Sequence, residues 1–221
     1  MQRRLILAFL LGVAALAASQ TPRQPAPSAK TAGQSLLYRN PTFGFRYKVP
    51  YGWVDRTKEM TEESGERPAP PPASGVASSP NSKQTAGSAG TVLLAIFERP
   101  PEAAGDTINS AVVVAAEPAA AYPGLKKAED YLGPLNELTA AKGFKPEGDP
   151  DVIEIDSRQL IRADYSKPLG PNAGGDQLTM HQSTLILLVK GQIVSFTFIA
   201  GTADEIDDLI ENLGFAISRA K

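Results

Sequence analysis

Hydrophobic and polar positions alternate or recur along most of the second half of this chain, and they outline a mixed set of elements. Phe43-Gly44-Phe45-Arg46-Tyr47-Lys48-Val49 alternates strictly, with four apolar side chains on one face and Gly, Arg and Lys on the other. That is the pattern of a half-buried strand, ended by Pro50 and followed by a turn at Tyr51-Gly52-Trp53. Thr91–Phe97 and Ala111–Ala116 are short β-branched apolar runs bounded by Gly or Pro, and predict two more strands. Between Leu125 and Lys142 a helical stripe runs through Ala128, Tyr131, Leu132, Leu135 and Leu138, with Gly143 placed as a C-terminal cap. Gly133-Pro134 interrupts the stripe and predicts a kink or two short helices.

Val152–Asp156 and Gln159–Tyr165 predict a hairpin across Ser157-Arg158, and Leu178–Val189 with Gln192–Ile199 a longer one across Lys190-Gly191. Thr202-Ala203-Asp204-Glu205 reads as a capping box. It opens a helix whose apolar residues Ile206, Leu209, Ile210 and Leu213 follow the i, i+3, i+4, i+7 spacing, after which Phe215 and Ile217 should return to the core. Strands, helix, four strands and helix predict an α+β domain in which an antiparallel sheet is flanked by helices.

Two stretches break this patterning. Residues 20–35 are mostly Pro, Ala, Ser, Gln and Thr, with too little apolar surface to offset the entropy of ordering, and read as a flexible linker. Thr57–Gly90 holds five Pro, four Gly and six Ser in 34 residues, centred on Pro68-Ala69-Pro70-Pro71-Pro72. Strand-like sequence resumes on both sides, so it reads as a disordered insertion inside one domain spanning residues 36–221.

Residues 1–19 pair a charged start, Arg3-Arg4, with the apolar run Leu5–Leu16 and small residues near Ala17-Ala18-Ser19. This is the form of a cleavable export signal. The run is shorter than the ~20 residues that span a bilayer, so no stable membrane span is expected after cleavage. The chain of 221 residues carries 22 basic and 24 acidic side chains. Without Arg3 and Arg4 the balance is 20 to 24, a net charge of −4, which argues against a nucleic-acid partner. With no Cys and a single His, disulfides, thiolate chemistry and histidine-rich metal cages are excluded. A periplasmic or secreted protein is the expectation.

The segment Tyr38-Arg39-Asn40-Pro41-Thr42-Phe43-Gly44-Phe45, leading to Val49-Pro50-Tyr51-Gly52-Trp53, resembles the start of PsbP-like domains. The end is similar too: a strand pair, an acidic helix from Asp204 to Asn212, and the closing Leu213-Gly214-Phe215. The resemblance covers about residues 36–219, outside the Pro-rich insertion. It implies an α/β/α sandwich around an antiparallel sheet and a noncatalytic interaction domain, with no catalytic residues and no cofactor carried over.

Candidate chemistry is sparse. His181 lies in alternating strand sequence on the face opposite Met180, where a sheet-face hydrogen bond is expected rather than catalysis. Asp149, Asp151, Glu154 and Asp156 form the densest acidic cluster. Asp149, Asp151 and Glu154 are candidate cation ligands, although the spacing does not match an EF-hand loop. Gly170–Gly175 lacks the Gly-Lys-Ser/Thr ending of a phosphate loop and reads as a hairpin loop. Tyr38, Phe43, Phe45, Tyr47, Tyr51 and Trp53 concentrate aromatic side chains, of which Tyr51 and Trp53 are candidate ligand contacts while the rest should fill a core. Three functions follow in order. The first is an exported noncatalytic module that binds another envelope or secreted protein. The second is a carrier of a small apolar ligand near Tyr51 and Trp53. The third is a carboxylate- or metal-dependent hydrolase using Asp149, Asp151 and Glu154.

Overall fold

The computed structural model describes residues 36–65, 90–103, 105–172 and 174–216. The chain divides into two units, 1–33 and 34–221, and the described residues all belong to the second. The expected signal, linker and Ile217 lie outside them.

Among the described residues, ten strands form two antiparallel sheets. The smaller has the order β1 (Leu37–Asn40), β2 (Phe45–Lys48), β10 (Leu213–Phe215). The larger runs β3 (Val54–Asp55), β4 (Thr91–Phe97), β5 (Ala111–Pro118), β9 (Gln192–Ala200), β8 (Gln177–Val189), β7 (Arg158–Pro171), β6 (Lys145–Ile155). Three helices accompany them: α1 (Thr57–Gly65), α2 (Leu132–Ala141) and α3 (Ala203–Ile210).

Register decides which side chains meet. Val112 faces Phe198, Val114 faces Phe196, and Phe196 faces Leu185, so these apolar residues share one face of the large sheet. The small sheet and α3 close that face with Phe45, Tyr47, Leu213 and Phe215, and with Ile206, Leu209 and Ile210. Phe196 stacks edge-on against Phe45 and Phe215 at ring distances of 5.1 and 6.0 Å, geometries that add to simple burial. On the opposite face Ile161, Ala163, Tyr165, Ile186 and Ile193 pack against Tyr131, Leu135 and Phe144 from α2 and the residues on either side of it. The expected antiparallel sheet flanked by helices is present, and one of its faces is shared with a second, smaller sheet.

Several boundaries move for local reasons. β2 starts at Phe45 and not Phe43, because Gly44 has φ +73° and closes a turn in which its amide donates to Asn40 O. The β6–β7 turn is Asp156-Ser157, both at positive φ (47° and 63°), one residue before the expected pair. Lys190-Gly191 makes the β8–β9 turn as expected, again with both φ positive. The helical stripe breaks at Tyr131, where a 3₁₀ turn (Ala128–Tyr131) gives way to α2. Pro134 then falls in the first turn of α2, where its missing N–H costs nothing.

The insertion read as irregular from Thr57 opens instead with helix α1. Asp55 Oδ1 accepts both the amide and the hydroxyl of Thr57, at 2.8 and 2.6 Å, while Thr57 Oγ1 accepts the Ala95 amide of β4. This capping by Asp55 starts the helix despite the compositional bias downstream. Residues 66–89, with the proline run, lie outside the described residues.

Candidate functional site

The side chains singled out in the sequence are not brought together. Trp53 is half-buried and packs against the core, while Tyr51 is 75% exposed; neither lines any of the three clefts described below. Asp149 falls in the irregular stretch of β6 between Glu147 and Asp151. Asp151 pairs with Arg162 and Glu154 with Gln159, three positions apart on one strand, so they point to opposite faces of the sheet. Among the described residues no three His, Asp or Glu side chains are placed to hold a metal ion. Asp156, grouped with that cluster in the sequence, is a turn residue with a different task.

His181 does find a partner. Its Nδ1 lies 3.3 Å from Glu147 Oε2, at the polar end of the sheet face that α3 covers. Beside it Arg162 Nε donates to both oxygens of Asp164 (3.0 and 2.9 Å) and Arg162 Nη1 donates to Asp207 Oδ1 on α3 (2.8 Å). Burial opposes the guanidinium's charge, but the Asp164 and Asp207 carboxylates more than offset it and hold its pKa above the ordinary value. A cleft of about 130 Å³ opens here. Its charged side chains are engaged with one another, and no Ser or Thr contributes to its lining. A second cleft, of about 360 Å³, sits at the start of α3. Thr202 caps the helix by accepting the Glu205 amide. The Glu205 side chain does not return to Thr202 as the capping box predicts. It accepts from buried Ser110 at 2.5 Å and from the Gly201 amide at 3.3 Å.

The largest of the three clefts, about 590 Å³, lies on the outer face of the small sheet. Strand alternation puts Tyr38, Phe45, Tyr47, Leu213 and Phe215 inward and leaves Leu37, Arg39, Arg46 and Lys48 outward. Arg39 stands directly across from Arg46, and Leu37 across from Lys48. Gly214 continues the Arg39–Arg46 row on β10. A Cβ there would come within 2.8 Å of Arg46 Nε and 2.9 Å of Asp156 Oδ2, so only glycine lets these groups lie over the strand. Asp156 reaches in from the β6–β7 turn. Its Oδ2 accepts the Phe215 amide at 2.8 Å and Arg46 Nη2 at 3.3 Å, tying the hairpin tip to the small sheet. Glu211 and Asn212 complete the rim. Arg39 and Lys48 make no ion pair or side-chain hydrogen bond with any described residue. Arg39, Arg46 and Lys48 are not among the candidate site residues that sequence spacing picks out. The signal was in the strand β2 itself, where Arg46 and Lys48 are the polar half of the alternation.

No protein-family model and no curated protein matches the chain. Solved structures do. It is similar to the PsbP protein CyanoP of Synechocystis sp. PCC 6803 (TM-score 0.45, 12% identity, 86% of this chain and 98% of that one). It is also similar to the Ran-binding protein Mog1p of Saccharomyces cerevisiae (0.39, 13%, 81% and 83%). A third is LpqN, involved in cell envelope biogenesis in Mycobacterium tuberculosis (0.38, 15%, 81% and 84%). The likeness is one of fold alone. Among the described residues no helix is long and apolar enough to cross a membrane.

Proposed function

We propose that the protein is an exported, noncatalytic binding module that docks a partner of the envelope or the secreted medium on the outer face of its small sheet. The observation that carries this reading is the open 590 Å³ cleft with two cations, Arg39 and Lys48, that pair with no described residue. Its fixed floor supports a binding role: Tyr47 and Phe215 anchor β2 and β10 in the core, and the Asp156 turn holds the third side. Export is supported by the charged and apolar pattern of residues 1–19.

Crosslinking on the intact envelope, read by mass spectrometry, tests this directly. The expected result is a stoichiometric partner whose crosslinks cluster at Lys48 and its neighbours. Recovery of no partner, together with turnover of a substrate by the purified protein, overturns it.

A further inference from the structure

The charges of the cleft also favour one class of partner, an inference that rests on the binding-module reading above. We propose that it docks an acidic segment of a partner protein, with a carboxylate seated between Arg39 and Arg46.

The cross-strand pair is the first argument. Arg39 and Arg46 are directly opposed on one face of β1–β2, and like charges so placed repel. Nothing described relieves this at Arg39, and Arg46 has a single carboxylate at 3.3 Å whose oxygen is shared with the Phe215 amide. Two guanidinium forks with most of their N–H donors unused present the geometry that carboxylates accept in pairs. Lys48 extends the positive row by one further step along β2.

The second argument selects the source of the anion. Asp156 and Glu211 stand on the same rim as the three cations, so the surface is mixed in sign and offers a uniformly anionic sheet such as a lipid headgroup layer only a weak net attraction. A peptide with an acidic residue among neutral ones can seat its carboxylate at the cations and keep other charge away from Asp156 and Glu211. Leu36 and Leu37, 64% and 40% exposed at the start of β1, give such a segment apolar surface beside the charges. The cleft is open rather than enclosed, which suits a macromolecular segment better than a free ion.

The test uses the full chain and four probes: a labelled peptide alternating Glu and Thr, its Gln-for-Glu counterpart, inorganic phosphate, and phosphatidylglycerol vesicles. The Glu peptide should bind, weaken as salt rises, and lose at least about tenfold in affinity for the double variant Arg39→Glu, Lys48→Glu. Both residues are exposed and unpaired among the described residues, so the variant's melting temperature should stay at or slightly above the parent's. Should it not, Arg39→Gln takes its place with the same expected direction of change. Equal binding of the Gln peptide, unchanged binding by the variants, or binding of phosphate or vesicles that depends on Arg39 and Lys48 overturns the proposal. Equal binding of the Gln peptide leaves the small-sheet docking reading standing, whereas envelope crosslinks that place a partner on another surface overturn it together with the acidic-segment inference. Absence of any partner, together with turnover of a substrate by the purified protein, removes the broader reading.

Discussion

The two faces of the small sheet are built from alternate residues of the same strands, yet they obey different rules. Inward, Phe45, Tyr47, Leu213 and Phe215 are almost wholly buried and meet Phe196, Phe198 and α3. Outward, Arg39, Arg46 and Lys48 are exposed, and two of them oppose each other. Burial fixes the inner face, since any loss there leaves a cavity. Folding does not need the outer face to be cationic, and like-charge opposition makes that choice mildly unfavourable. The proposed docking role draws on this difference: the buried side holds the strands in place, and the free side carries its charge at some cost to stability.

The sharpest break in this comparison comes from the inner face. Phe45→Ala removes a ring that stacks edge-on with Phe196 at 5.1 Å and is 2% exposed. It should cost about 3–5 kcal/mol in urea unfolding. A loss below about 1 kcal/mol would show that the small sheet is not tied to the core through this row.

Asp156 joins the two faces and should give an intermediate effect. Asp156→Ala loses the acceptor of the Phe215 amide and the partner of Arg46, and puts a residue without side-chain oxygens at φ +47°. About 1–2 kcal/mol is expected. Asp156→Asn keeps an acceptor oxygen and tolerates positive φ, so it should lose less than half of that. Equal losses in the two variants would assign the whole effect to the charge on Asp156.

Much of the fold was legible in the sequence because it rests on short-range signals. The alternation of β2, the Lys190-Gly191 turn and the Thr202 cap are each contained within a few residues. The start of α1 was missed because Asp55 caps it from outside a segment whose composition pointed to disorder. The grouping of Asp149, Asp151 and Glu154 was misleading since neighbours in sequence diverge across a strand. The cationic cleft was hidden for the opposite reason: Arg39, Arg46, Gly214 and Asp156 become neighbours only through pairing of three strands and a distant turn.

A half-buried polar group elsewhere offers a contrast with the unpaired outer cations. Glu117 accepts from the hydroxyls of both Tyr122 and Tyr131. Burial, then the hydrogen bond and charge of Glu117, favour the neutral phenol and push Tyr122 up to about 12 from its ordinary 10. The stability this contributes is full below pH 10 and drains away as pH rises toward 12. Urea midpoints should therefore hold to about pH 10 and fall from there toward about pH 12. Tyr122→Phe should cost about 1 kcal/mol at neutral pH and flatten the alkaline decline. An unchanged slope in the variant would place the alkaline loss on other groups.

The smallest effect bears most directly on what the outer face is for. Replacing Arg39 by Thr removes one member of the opposed pair and installs a residue suited to a strand. The Arg39–Arg46 repulsion is exposed and screened, so its removal should stabilise the fold by no more than about 0.5 kcal/mol. The sign of the salt dependence identifies the cause. Added salt should raise the parent's unfolding midpoint more than the variant's, because only the parent has the repulsion left to screen. A destabilisation above about 1 kcal/mol would mean that Arg39 supports the sheet, and the difference between the two faces would then be one of degree. A neutral or stabilising change, together with weaker binding of the acidic peptide, separates the two faces into one that holds the fold and one that meets the partner.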